Sequence, residues 1–113
     1  MKGKKQSNHQ PQDRGYLVYY YPGLAIALDS VEASLFLSYF LSICEKESQE
    51  WVYGKTVKEI EEATALSPRE QKVAKDRLKK LGILEEKKKG GLTFYKFNWQ
   101  KVCDLLKDIE ENY

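Results

Sequence analysis

Residues 67–98 read SPREQKVAKDRLKKLGILEEKKKGGLTFYKFN, and their pattern predicts a capped helix followed by a hairpin. Ser67 is followed three residues later by a glutamate, which makes a capping box, and Pro68 occupies the first helical position, where its missing N–H costs nothing. Gly82 suits the end of a helix because glycine adopts the left-handed conformation without strain. The pattern therefore predicts a helix over residues 67–81.

A β-hairpin is predicted directly after this helix, over residues 83–97. Residues 83–86 form the first strand, 87–91 a basic, glycine-rich tip, and 92–97 the return strand. The Gly90-Gly91 pair supplies the positive φ angles that a tight hairpin turn requires.

A second capping box lies just before the first. Thr56 is followed three residues later by Glu59, which predicts a helix over residues 56–64 with Val57, Ile60 and Ala63 facing the core. Two capped helices joined by a short turn make a helix-turn-helix.

The segment before these helices is strongly apolar. Asp29 is the expected N-cap of a helix over residues 29–46, which carries apolar residues on most of its circumference. We interpret it as the central core helix, and the alternative is that one side forms a dimer interface. Residues 16–28 form an N-terminal extension that could cover the extra side, with a short strand predicted over 16–21.

Three further segments complete the organisation. Residues 51–53 are a short strand candidate. Residues 1–15, which are basic and almost without apolar residues, are expected to be a disordered tail, and the alternative is a basic arm that follows DNA. A last helix is predicted over 98–112, with an apolar face made of Trp99, Val102, Cys103, Leu106 and Ile109.

Composition and charge indicate a single domain, residues 16–113, that binds a polyanion. The chain has 113 residues, of which 42% are hydrophobic and 32% charged, with a mean hydropathy of −0.63. Its net charge is only +2, but residues 68–91 hold nine basic and four acidic residues. Such a basic block on an otherwise acidic body suits binding to nucleic acid.

The sequence gives little support for catalysis or for a metal, cofactor, small-molecule or membrane partner. The single histidine, His9, lies in the tail, and no catalytic triad, phosphate loop or metal-ligand spacing occurs. Cys44 and Cys103 are expected to be reduced packing residues, because no secretory signal precedes them. We therefore expect a protein of the cytoplasm that is not an enzyme.

The order of strand, helix, turn, helix and hairpin resembles a winged helix-turn-helix DNA-binding domain. The run LKKLGIL at 78–84, the YKFN at 95–98 and the preceding serine cap carry the resemblance. Tyr21-Pro22 before the long helix and Trp51-Val52 before the second are similar to phage and plasmid replisome-organizer and primosomal proteins. The chain also resembles MarR- and PadR-type regulators. The fold class implied is α+β, mostly α, with a small antiparallel sheet and flanking N- and C-terminal elements.

Two registers remain open for the recognition helix, 67–81. The resemblance implies a buried face of Gln71, Ala74, Lys75 and Leu78, in which Lys75 must extend along the edge of the core. The apolar residues alone give Val73, Ala74, Leu78 and Leu81. The expected DNA-binding residues are Ser67, Arg69, Gln71, Lys72, Asp76, Lys79 and Lys80 on the helix and Lys87, Lys88 and Lys89 on the hairpin.

Two functions from different classes follow. The first is binding of double-stranded DNA, as a transcriptional regulator or as a phage or plasmid replication factor. The alternative is a winged-helix module that binds protein and not DNA. A weak homodimer, built from residues 16–28 and the last helix, is expected to accompany the first function.

Overall fold

A computed structural model describes residues 20–43, 51–53 and 56–112. The described part is α+β and mostly helical, as the sequence predicts. Its elements in chain order are α1 (Pro22–Leu28), α2 (Val31–Ile43), β1 (Val52–Tyr53), α3 (Val57–Thr64), α4 (Pro68–Lys80), β2 (Leu84–Lys89), β3 (Leu92–Phe97) and α5 (Trp99–Asn112). The predicted tail over 1–15 and Cys44 lie outside the described residues. Most of the strand predicted over 16–21 also lies outside them. Tyr20 and Tyr21, at the end of that segment, are described and belong to no strand.

The three strands form one antiparallel sheet in the order β1-β3-β2. In the hairpin, Leu84 pairs with Phe97 and Lys89 with Leu92, so the turn consists of two residues only. Gly90 and Gly91 adopt φ angles of 59° and 78°, which confirms the predicted glycine turn. The strand β2 therefore runs to Lys89, three residues further than the sequence suggests.

Helix α2 lies at the centre of the core. Phe36, Leu37 and Phe40 on this helix are fully buried, and α2 packs against α1, α3 and α4. The ring of Phe40 lies 5.3 Å from that of Tyr95 and 5.1 Å from that of Phe97, so the helix also closes over the inner face of the sheet. This placement agrees with the interpretation of α2 as the core helix.

The junction between α1 and α2 differs from the sequence prediction. Asp29 is not the N-cap of α2, because it ends α1 in the left-handed conformation with a φ of 56°. The N–H of Ser30 donates to the carbonyl of Ala25, and the hydroxyl of Ser30 accepts a hydrogen bond from the N–H of Ala33 at 3.0 Å. The α2 helix thus begins one residue later than expected, with serine as its cap.

Two residues expected in the core are exposed instead. Val57, in the first turn of α3, is 47% exposed, whereas Ile60 one turn later is fully covered. On α5, Trp99 and Val102 are buried, but Cys103 is exposed and is not a packing residue. Both errors concern residues at the margin of an amphipathic face, where neighbouring elements decide which side is covered.

Candidate nucleic-acid interface

The start of α4 is defined by the predicted capping box. The hydroxyl of Ser67 accepts a hydrogen bond from the N–H of Glu70 at 3.2 Å, and the Glu70 carboxylate accepts one from the N–H of Ser67 at 2.8 Å. Thr56 and Glu59 form the same reciprocal pair at the start of α3. Ala65, with a φ of 66°, ends α3, so a turn of three residues sets the angle between the two helices.

The register of α4 is the one that the resemblance implies. Gln71 is 2% exposed, and Ala74 and Leu78 are fully buried, whereas Val73 is 46% exposed and Leu81 is 38% exposed. The register drawn from the apolar residues alone is therefore wrong. Its error comes from assigning a glutamine to the surface by its polarity, although a buried amide with hydrogen-bond partners is stable in a core.

Gln71 is not available for contact with DNA, which corrects its assignment to the interface. Its amide nitrogen donates to the carbonyl oxygens of Val57 and Leu66, each at 2.9 Å. These two bonds tie α4 to the start of α3 and to the turn between the helices. Gln71 is thus a structural residue that holds α3 and α4 together.

The exposed face of α4 carries most of the other predicted residues. Arg69 is exposed in the first turn and forms no ion pair within the described residues. The ammonium of Lys72 lies 3.1 Å from the carboxylate of Asp76, and both side chains are largely exposed. Such a surface pair contributes little to stability, so Lys72 can exchange Asp76 for another anion at low cost. Lys80 is also exposed near the end of the helix.

One residue that the sequence analysis did not select, Glu86, joins α4 to the hairpin. Its carboxylate forms ion pairs with the ammonium groups of Lys75, at 3.0 Å, and Lys79, at 2.6 Å. Burial raises the pKa of Glu86, but the two lysine hydrogen bonds and charges outweigh burial and leave this pKa below its usual value. Lys79, predicted to meet DNA, is therefore held against the hairpin, although its side chain remains partly exposed.

Tyr95 completes this cluster from the neighbouring strand. Glu86 pairs with Tyr95 across the hairpin, so the two side chains lie on the same face of the sheet. Burial, with the negative charge of Glu86 beside it, raises the pKa of the Tyr95 phenol, which stays protonated. The ammonium of Lys75 also lies 5.8 Å from the centre of the Tyr95 ring. The signal in the sequence that could have located this cluster is the two-residue spacing of Leu84 and Glu86, which places Glu86 on the core face of the strand.

The three hairpin lysines do not form one cluster at a tip. They lie within β2, where successive side chains point to opposite faces of the sheet. Lys88 shares the inner face with the buried Leu84 and with Glu86, whereas Lys87 and Lys89 lie on the outer face. The ammonium of Lys87 sits 4.4 Å from the ring centre of Trp51. Only Lys88 among the three therefore points to the side on which α4 lies.

Comparisons with known proteins leave the family open. No family model, no curated protein and no solved structure matches this chain.

Within the described residues, no single helix has the length and apolar character that crossing a bilayer requires. Helices α1 and α2 reach that length and apolar composition only together, and they are bent by 119° relative to each other.

Proposed function

We propose that the protein binds double-stranded DNA through a winged helix-turn-helix formed by α3, α4 and the β2–β3 hairpin. The observation that carries this proposal is the register of α4. Gln71, Ala74 and Leu78 face inward, so the side chains of Arg69 and Lys72 are exposed on the opposite face. A basic helix face beside a basic hairpin has the charge and shape of a major-groove reader.

In this proposal the N-terminal half of α4 enters the major groove. Arg69 is placed to make a bidentate contact with guanine, and Lys72 to contact a neighbouring base or phosphate. The exposed Val73 can meet a thymine methyl group. Ser67 serves as the helix cap, and the positive end of the α4 dipole favours a phosphate beside it.

The hairpin supplies contacts that depend little on sequence. Lys88 projects from the face that lies on the side of α4, so it can reach the same duplex. Lys75 and Lys79 together carry two positive charges against the single negative charge of Glu86, so this cluster keeps a net positive potential. These groups add affinity for the phosphate backbone and set the orientation of α4.

A salt titration of binding to duplex DNA tests the proposal. The logarithm of the association constant, measured by fluorescence anisotropy, should fall linearly with the logarithm of salt concentration, with a slope of about −0.9 for each phosphate contacted. At least three contacts are expected, hence a slope steeper than about −2.5. Absence of duplex binding at low salt would instead favour the protein-binding module.

The biological role is proposed from the resemblance alone. A transcriptional regulator and a phage or plasmid replication factor would both need selective duplex binding. Selection of bound sequences from a random duplex pool should enrich one short site, and a pair of half-sites about one helical turn apart would indicate two copies.

Association of two copies is proposed through α1 and α5. Ile26 on α1 is 63% exposed, and α1 packs directly against α5. Leu106 and Ile109 on α5 are only half-buried. These apolar side chains also support the second candidate function, a surface for another protein. In either case α4 remains accessible.

A further inference from the structure

The side chains on the outer face of the hairpin take no part in the proposed binding of duplex DNA by α4. Lys87 and Lys89 on β2 and Leu92 on β3 are exposed on this face, and Phe94 is half-buried there. Lys96 shares the face, because it alternates with the buried Tyr95 and Phe97. Glu85, the one acidic residue of β2 on this face, pairs with Lys96 across the hairpin. The face therefore combines a net positive charge with apolar and aromatic surface.

Trp51 contributes an indole ring to this outer face, in contact with a lysine of the hairpin. It is half-buried and is not one of the buried residues of the core, unlike Trp99, which is 4% exposed. Its described ring contact is with Lys87, whose ammonium lies 4.4 Å from the ring centre. Cations beside an accessible indole are the pattern on which single-stranded nucleic acids stack, because each base brings a flat ring and an adjacent phosphate.

We propose that this outer face is a second binding site, for single-stranded nucleic acid, in which an unpaired base displaces the Lys87 ammonium from the face of the Trp51 ring and stacks there. The phosphates on either side of that base pair with Lys87 and Lys89. A duplex is a poor ligand here because its bases already stack on one another and offer no free ring face.

The two sites lie on opposite sides of the hairpin. Glu86, on the inner face, meets Lys75 and Lys79 of α4, whereas Lys87, the next residue, meets Trp51. One molecule can therefore hold a duplex on α4 and an unpaired strand on the outer face. This inference goes beyond the proposed duplex binding and does not depend on it.

Tryptophan fluorescence tests the site directly. The chain has two tryptophans, and the buried Trp99 is stacked on Phe97 with ring centres 4.9 Å apart. Titration with oligothymidine and oligouridine strands of about 15 nucleotides at low salt should quench the emission of Trp51. Trp51→Phe should remove the quenched component, which assigns it. Unchanged emission at saturating strand concentration would overturn the proposal, and equal quenching by an acidic polypeptide would reduce it to a charge effect.

Variants of adjacent lysines give a matched control. Lys87→Ala and Lys88→Ala each remove one charge from the same strand, but from opposite faces. Lys87→Ala should weaken single-strand binding more than Lys88→Ala does. Trp51→Ala should weaken it about 5- to 150-fold, and Trp51→Phe by much less. Circular dichroism checks that each variant is folded. Equal losses for the two lysine variants would contradict a site on the outer face.

Failure of this proposal is distinguishable from failure of duplex binding. Arg69→Ala should weaken duplex binding and leave oligothymidine binding unchanged, whereas Trp51→Ala should do the reverse. If Arg69→Ala weakens the binding of duplex DNA and of oligothymidine equally, there is one shared site on α4 and no second site.

Discussion

The ammonium of Lys75 lies 3.0 Å from the carboxylate of Glu86, and this ion pair joins α4 to the strand that follows it. Both side chains are mostly covered, with 20% and 11% of their surface exposed. The aliphatic stem of Lys75 thus runs along the edge of the core, as the register of α4 requires, and its charge is met by a carboxylate. The pair fixes where the hairpin lies relative to the helix proposed to read DNA.

Removal of the Glu86 charge should destabilise the protein. Glu86→Gln keeps the shape of the side chain but leaves two half-covered ammonium groups without their anion. We expect a loss of about 1–3 kcal/mol in the free energy of unfolding at pH 7, measured by urea denaturation. Glu85→Gln is the matched control, because Glu85 is exposed on the opposite face of the strand. An equal effect of the two variants would show that the cluster contributes nothing specific.

The same pair predicts a pH dependence of stability. The pKa of Glu86 is lower in the folded protein than its ordinary value, so ionisation of this group favours folding. Its contribution is complete above the ordinary glutamate pKa of about 4.3 and disappears as the pH falls through the lowered pKa. The difference in unfolding free energy between wild type and Glu86→Gln should therefore shrink toward acid pH. If this difference in unfolding free energy stays constant from neutral to acid pH, the charge of Glu86 is not the cause of the stabilisation.

Gln71 should matter for stability and not for base recognition. Gln71→Ala removes the amide donor from the carbonyls of Val57 and Leu66 and leaves a small cavity between α3 and α4. We expect a loss of about 1–3 kcal/mol in the free energy of unfolding, with duplex affinity nearly unchanged wherever the variant is folded. Loss of affinity without loss of stability would place Gln71 in the interface after all.

Arg69 should show the opposite behaviour. Arg69→Ala removes an exposed side chain, so the melting temperature should change little. Duplex affinity should fall by about 1–3 kcal/mol for the selected sequence if Arg69 reads a base. Lys107→Ala, an exposed charge on α5, is the control that removes one positive charge away from α4. Similar losses of duplex affinity for both variants would mean that the DNA responds only to the net charge of the protein.

Assembly can be separated from folding by two substitutions. Ile26→Glu changes an exposed residue and should give a folded monomer, detected by analytical ultracentrifugation. Leu106→Glu changes a half-buried residue that packs against the core, so it should disturb both assembly and stability. A wild type that remains monomeric at high concentration would refute the dimer and leave Ile26 as a surface for another partner.

Local features of the fold were predictable from the sequence. The capping boxes at Thr56 and Ser67 and the turn at Gly90 and Gly91 occur as expected. Each depends on interactions between residues at most three positions apart, so the sequence contains all of the relevant groups. The cap of α2 is the exception, because Asp29 and Ser30 are both competent caps and the end of α1 decides between them.

The candidate site was predictable only in part. Arg69 and Lys72 lie outward in either register of α4, and the structure exposes both. Gln71 was assigned to the interface because it lies in the first turns of the helix, and Lys79 because it lies outward in both registers. Gln71 is instead bonded to the carbonyls of Val57 and Leu66, and Lys79 to Glu86. A polar side chain is assigned to the surface unless its buried partner is known, and these partners come from other elements of the fold.

The starts of α3 and α4, the position of the hairpin turn and the basic segment all follow from the amino-acid sequence without reference to packing. Packing sets which face of α4 is buried, and it brings Glu86 of the hairpin against this helix. The difference lies in how far apart the interacting groups are in the chain. Caps and turns are satisfied within a few residues, whereas burial of Gln71 and pairing of Lys75 with Glu86 require groups that only packing brings together.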